Sequence, residues 1–268
     1  MSVAGCLLDL NFVVDSSGSI NFKGATNWDI TLQFVANVTS QFTIGPNNVQ
    51  VAFVLFSDVA TVEWGLTQYR DSASLLRAIR NVRYIGSTTN LNDALYLTRT
   101  QVFGPGGGSR PNAVKATVIL TDGEDNVPEP GTPLTIQNAT ACKNQGIRLI
   151  GIGISDDVDR DRLLQIVSSP SDYHAVDDFD ALQSVIVQLQ PQEICFPTPT
   201  PPTVPGTKRY CIFYLRSCCR NNEYASFVKQ RICSLHVRRR GTIMNDTGKF
   251  ADPQNPVDSQ LINKYCPC

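Results

Sequence analysis

The chain has 268 residues, of which 42% are hydrophobic and 18% charged, and a net charge of −1. That is enough to bury one full core but leaves too little for a second large one, which excludes a disordered chain. No run approaches the roughly eighteen uninterrupted apolar residues of a membrane span. The near-zero charge hides a division, because residues 1–195 carry 12 Lys and Arg against 20 Asp and Glu whereas residues 196–268 carry 11 against 4.

The N-terminal stretch MSVAGCLLDLNF has no basic segment and is interrupted by Asp9, so it does not read as a signal peptide. Residues 7–15 (LLDLNFVVD) form a nearly continuous apolar run, as do 49–56, 113–122 and 147–154. Such runs suit strands covered on both faces, as in a parallel sheet. Between them, residues 28–42, 71–82, 91–103 and 132–146 space their apolar positions by three and four, which predicts amphipathic helices. Residues 59–64 follow the second strand after only Ser57 and Asp58, the spacing of an antiparallel hairpin at a sheet edge. A short strand near 173–176 and a helix over 179–189 close this part. The expected architecture is a doubly wound α/β sheet, mostly parallel with one antiparallel edge strand. Residues 196–207 (FPTPTPPTVPGT) hold five prolines and predict an extended linker. The expected division is therefore 1–195, a linker at 196–207, and a small Cys-rich basic module at 208–268.

Ligands of such sheets bind at the carboxyl ends of the strands. Three segments expected there carry oxygen donors: DSSGS after the first strand, GSTTN at 86–90, and TDGED at 121–125. Asp15, Ser17, Ser19, Thr89 and Asp122 would supply carboxylates and hydroxyls without imidazole or thiolate. Hard oxygen donors of this kind favour Mg²⁺, Mn²⁺ or Ca²⁺ over zinc. Taken alone, the Asp15–Ser19 string reads more readily as a helix cap, and the metal reading gains the upper hand only with Thr89 and Asp122 in register.

The set D-x-S-x-S at Asp15, Ser17 and Ser19, the threonine in GSTTNLNDAL and ILTDGEDN around Asp122 resembles the von Willebrand factor type A domain family, over about residues 7–190. The wording is similar to the matrix branch, that of matrilins and A-domain collagens. The resemblance implies a metal-ion-dependent adhesion site. In it Ser17 and Ser19 bind the cation directly, Thr89 binds directly or through water, and Asp15 and Asp122 often act through water. Asp93, where a glycine is common, departs from the pattern. The resemblance also implies a disulfide between Cys6 and Cys195, which bracket the domain, and Mg²⁺ first among the cations, with Mn²⁺ or Ca²⁺ as alternatives.

Several other motifs have plainer readings. SDDVDRDRL at 155–163 alternates aspartates but has Arg162 where a calcium loop needs glycine, so it predicts an acidic helix N-terminus. GPGGGS at 104–109 follows a helix and precedes a strand, the wrong context for a phosphate loop, and reads as a flexible loop. Only His174 and His236 are available for acid–base work, and neither lies in a nucleophile motif, so no enzyme is expected. Asn37, Asn138 and Asn245 begin N-x-T sequons, which matter only in a secreted protein. Six of the nine cysteines lie in the tail, a density that suggests a disulfide scaffold of open connectivity and an oxidising compartment. Cys142 is left as a buried free thiol. HVRRRG, with Arg238, Arg239 and Arg240, is either a solvated turn or a dock for sulfated glycans or an acidic protein surface.

The leading expectation is a secreted extracellular-matrix or adhesion protein, without nucleic-acid partner or membrane span. It would bind an exposed carboxylate of a matrix protein such as a collagen through the cation. The alternatives are a structural component that assembles with itself or with fibres, the metal only stabilising it, and a metal-assisted hydrolase.

Overall fold

The computed structural model describes residues 7–22, 24–123 and 134–195. The expected linker, the basic module with Asn245 and Arg238–Arg240, and Cys6 lie outside the described residues. Six strands form one sheet: β1 (Leu8–Asp15), β2 (Val49–Phe56), β3 (Ala60–Trp64), β4 (Val114–Thr121), β5 (Ile147–Ile154) and β6 (Tyr173–Val176), in the order β3-β2-β1-β4-β5-β6. All neighbours are parallel except β2 and β3. Every residue of β1 and β2 is buried, as expected where helices cover both faces of a sheet.

The alternation of β1 side chains divides the core. Leu8, Leu10, Phe12 and Val14 pack with α2 (Asn27–Thr39), α3 (Ser72–Arg80) and the closing segment Asp180–Leu189. Val13 faces the other side with Ala52, Val54 and Phe56, under α4 (Leu91–Leu97), α5 (Leu134–Asn144) and α6 (Arg160–Ile166). Asp159 accepts from the amide of Arg162 at 2.9 Å as the N-cap of α6, the acidic helix start that its sequence predicts.

Three elements differ from their sequence-based expectation. The helix expected over 91–103 is α-helical only to Leu97 and continues as a π-helical turn, Thr98–Val102. Thr98 Oγ1 donates to Ala94 O at 2.8 Å and accepts from the buried Asn11 Nδ2 at 3.1 Å, while Thr100 Oγ1 donates to Tyr96 O at 2.6 Å. Hydroxyls that bond back to helix carbonyls compete with the regular ladder. Asp180–Leu189 winds as a 3₁₀ helix, followed by a single α-helical turn, Pro191–Cys195.

The third difference is the glycine loop at 104–109, which is tied down. A Cβ on Gly104 would lie 1.9 Å from Thr100 O, and one on Gly107 would lie 2.1 Å from Gln101 O, so only glycine lets this loop wrap the π-helical turn. Beyond it, Arg110 meets the buried Asp9: Nη2 lies 2.7 Å from Oδ1, and the Arg110 amide donates to Oδ2 at 2.6 Å. Its guanidinium also donates to Pro46 O, Leu8 O and Asn48 O. The loop is thereby fastened to the amino-terminal rim of the sheet. Breaking one side of a buried ion pair strands the other charge, at a cost of about 3–5 kcal/mol. Arg110→Ala should lower unfolding stability by about that amount in urea titration. A loss under about 1 kcal/mol would contradict the anchoring role.

Candidate metal centre at the carboxyl rim of the sheet

Because β1 and β4 are parallel neighbours, their carboxyl ends deliver Asp15 and Asp122 to the same rim. The chain after β1 turns into a single helical turn, α1 (Gly18–Phe22), which was not evident in the sequence because five residues show no periodicity. Asp15 Oδ1 accepts from the Ser17 amide at 2.8 Å, and Oδ2 accepts from Thr121 Oγ1 at 2.6 Å. The Ser17 and Ser19 hydroxyls are 3.0 Å apart, and Ser19 Oγ donates to Asp122 Oδ1 at 2.6 Å. With the Ser19 proton committed to Asp122, Ser17 is the donor of the serine pair. Four of the five candidate residues thus form one linked cluster. Thr89 is buried and lines a small cleft with Thr121 and Gly123, the two residues flanking Asp122.

Residues outside the expected set hold this rim together. Ser16 Oγ accepts from the Ile85 amide at 2.8 Å, and its carbonyl accepts from Gly86 N at 2.8 Å. Gly18 N donates to Ser87 O at 2.7 Å. Tyr84 donates its hydroxyl proton to Ser17 O at 2.8 Å and stacks, tilted, on Trp28 with ring centroids 5.6 Å apart. Ser57 Oγ accepts from Ser87 N and donates to Thr88 O, both at 3.0 Å. Asn90 caps α4 by accepting from Asp93 N, and Asp93 Oδ2 accepts from Ala60 N at 2.8 Å. The carboxylate that departs from the family pattern therefore braces the β2–β3 turn. Apart from the Asn90 cap, these contacts cross 30 residues or more of sequence and left no local signal beyond the density of serine and asparagine.

The electrostatics are unfavourable in protein alone. Burial pushes the Asp15 carboxyl up to about 7, against bonds from Thr121 and Ser17 that pull it down, and the charge of Asp122 adds to the rise. Among the described residues no group of three or more His, Cys, Asp or Glu side chains is placed to hold a metal ion. The donor set is therefore two carboxylates with hydroxyls, chemistry that fits a hard divalent cation. Both Asp15 oxygens already accept bonds within the protein, which suits a role behind the directly presented hydroxyls.

The remaining sequence candidates lie elsewhere. Asn37 is on α2, and its amide bonds to Gln33 and Gln183; Asn138 is on α5 and bonds to Arg99 and Asn92. Cys142 is a buried free thiol, pushed up to about 12 by burial, and is inert core. Cys195 is disulfide-bonded, and its partner lies outside the described residues.

A profile of the von Willebrand factor type A domain matches residues 9–188. The collagen alpha-6(VI) chain of Homo sapiens is 33% identical over 194 residues, which cover 70% of this chain and 8% of that protein. The collagen alpha-1(XII) chain of Notophthalmus viridescens is 31% identical over 191 residues, covering 70% of this chain and 19% of that one. The chain thus spans only a small part of the length of these relatives. Among solved structures, proximal thread matrix protein 1 from the mussel byssus, with a zinc-occupied MIDAS motif, superposes with a TM-score of 0.63 at 29% identity, covering 69% of this chain and 45% of that one.

A carboxyl raised from 3.8 to about 7 on folding makes the folded state bind more protons than the unfolded state across that interval. Its contribution to stability is therefore lost as pH rises from about 4 to about 7. In EDTA, urea titrations should show this decline for the wild type and a flatter profile for Asp15→Asn. Superimposable profiles would contradict the electrostatic account.

Proposed function

Since this chain belongs to the von Willebrand factor type A domain family, we propose that it is a secreted, non-enzymatic matrix or adhesion protein that binds an exposed carboxylate of a partner matrix protein through a divalent cation. Ser17, Ser19 and Thr89 would present hydroxyl oxygens, and Asp15 and Asp122 would supply the negative charge. The observation that carries this reading is the linked cluster at the carboxyl rim, where Ser17, Ser19 and Asp122 lie within 3.0 and 2.6 Å of one another in sequence of contact. A bound divalent cation supplies a Lewis-acidic centre with a coordination position for a partner's oxygen.

The protein's own residues prepare that position. Ser17 N and Thr121 Oγ1 hold both Asp15 oxygens in place, and Asp122 orients the Ser19 hydroxyl. With its pKa raised, Asp15 is protonated in acid and would have to give up that proton to a cation, so the site favours occupancy at neutral pH over acid pH. Mg²⁺ is the first candidate, with Mn²⁺ or Ca²⁺ as alternatives, and the zinc in the mussel protein's motif extends the candidates to that ion. The collagen relatives support an extracellular-matrix location and a matrix partner, collagens among them. Among the described residues no helix is long and apolar enough to cross a membrane.

The disulfide at Cys195 belongs to the same picture, with Cys6 proposed as its partner. Beside it, Arg148 donates to the carbonyls of Glu193 and Ile194 and to the nearly buried Asp172, which fastens the end of the domain to the start of β5. A bridge from Cys6 would close a loop of about 190 residues, worth roughly 5 kcal/mol in the chain-entropy model. A non-reduced peptide map should contain a Cys6–Cys195 fragment pair. Recovery of Cys6 joined to a cysteine of the tail would overturn the assignment.

For the binding site, Asp122→Ala should remove Mg²⁺-dependent retention on immobilised matrix extract, by tenfold or more, while leaving urea unfolding cooperative. Retention equal to that of the wild type, or wild-type retention indifferent to EDTA, would contradict the metal-centred reading.

A further inference from the structure

Seven large hydrophobic side chains stay exposed on the described domain, and three of them stand on segments that build the candidate metal centre: Phe22 at 91%, Val59 at 58% and Ile85 at 46%. Hydrophobic residues scattered singly over a surface need no explanation, but a group around one site does. Ile85 and Val59 are held at the rim by hydrogen bonds, and Phe22 by its place in α1. Phe22 lies three residues after Ser19 within the single turn α1, a spacing that puts two side chains on the same helical face. Ile85 is fixed through its amide to Ser16 Oγ. Val59 accepts at its carbonyl from Ser57 N, and Ser57 Oγ is the bridge to Ser87 and Thr88. The same stretch of chain does bury an aromatic, since Trp28 is only 6% exposed and bonds to Val82 O through Nε1. Phe22, by contrast, stands in solvent three residues from Ser19.

We infer that Phe22, Ile85 and Val59 form an apolar rim that seats an aliphatic or aromatic side chain of the partner next to its acidic residue. The ligand recognised is an acidic residue flanked by an apolar one, on a segment of another protein. The choice of occupant follows from charge: the centre of the patch, once it holds a cation, attracts a carboxylate, and its border offers apolar area that a purely acidic segment would leave wet. This inference rests on the metal-centred reading above and goes further by assigning specificity to residues that bind no metal.

The test uses the full chain in Mg²⁺ and two fluorescent peptides, one with a central glutamate flanked by leucines and one with the same glutamate flanked by serines, compared by polarisation. The wild type should bind the leucine-flanked peptide at least about fivefold more tightly. Phe22→Ser and Ile85→Ser should each erode that preference, with Mg²⁺ binding by calorimetry unchanged. Equal affinities, binding of neither peptide, or a preference that survives the double Phe22→Ser, Ile85→Ser variant would overturn the inference. So would Mg²⁺-dependent dimerisation in sedimentation that Phe22→Ser abolishes, because the occupant would then be a second copy of the chain. Asp122→Ala, with Ser19→Ala as the milder variant, should lose both peptides. Retention of the leucine preference in both variants would instead sink the metal-centred reading, a failure that the equal-affinity result does not produce.

Discussion

Two buried carboxylates at the ends of adjacent parallel strands are the constraint around which this domain is arranged. β1 and β4 are central, neighbouring and parallel, so Asp15 and Asp122 must emerge at the same rim. Both are almost fully buried, and desolvation, with the charge of Asp122 beside it, penalises the charged form of Asp15. Protein bonds offset part of this penalty: Thr121 and Ser17 bond to Asp15, and Ser19 bonds to Asp122. A divalent cation, as proposed, would offset the rest.

The loops that carry the hydroxyls are short of regular structure, and their order comes from one another. Ser16, Ser57 and Tyr84 stitch the segment after β1 to residues 84–88, and Asp93 ties the start of α4 to the turn before β3. These groups touch no expected metal ligand through their own side chains, with the exception of Tyr84 at the Ser17 carbonyl. Their effect is to hold the ligands at fixed positions, because a site on loops is only as exact as the bonds that brace the loops. At the opposite rim, the Asp9–Arg110 and Asp172–Arg148 pairs do similar work for the chain ends. Loop positions at one rim and closure at the other are thus separate devices within one sheet.

Much of this was legible in the sequence where the signal was local. Continuous apolar runs marked β1, β2, β4 and β5, because strands covered on both faces have no polar side to show. The alternation of acidic and polar residues in DSSGS and TDGED marked the rim, and the isolation of Cys142 on an amphipathic helix marked it as core. What could not be read was non-local. The π-helical turn depends on Asn11 reaching Thr98 across 87 residues, and the anchoring of the glycine loop depends on Asp9 and Arg110, 101 residues apart. Tyr84 and Thr121 look like ordinary strand and loop residues until their hydroxyls are seen to meet Ser17 and Asp15. The exposed Phe22 was hidden for the opposite reason: a phenylalanine in sequence reads as core, and only the fold shows it left in solvent beside Ser19.

Crystals of the full chain grown in Mn²⁺ would test the central claim most directly, by anomalous scattering at the manganese edge. The account predicts one strong peak within coordination distance of the Ser17 and Ser19 hydroxyls at the carboxyl rim, and its loss from crystals of Asp122→Ala. No peak at that rim, or a peak only at another acidic region such as Asp177 and Asp178 beside β6, would contradict it.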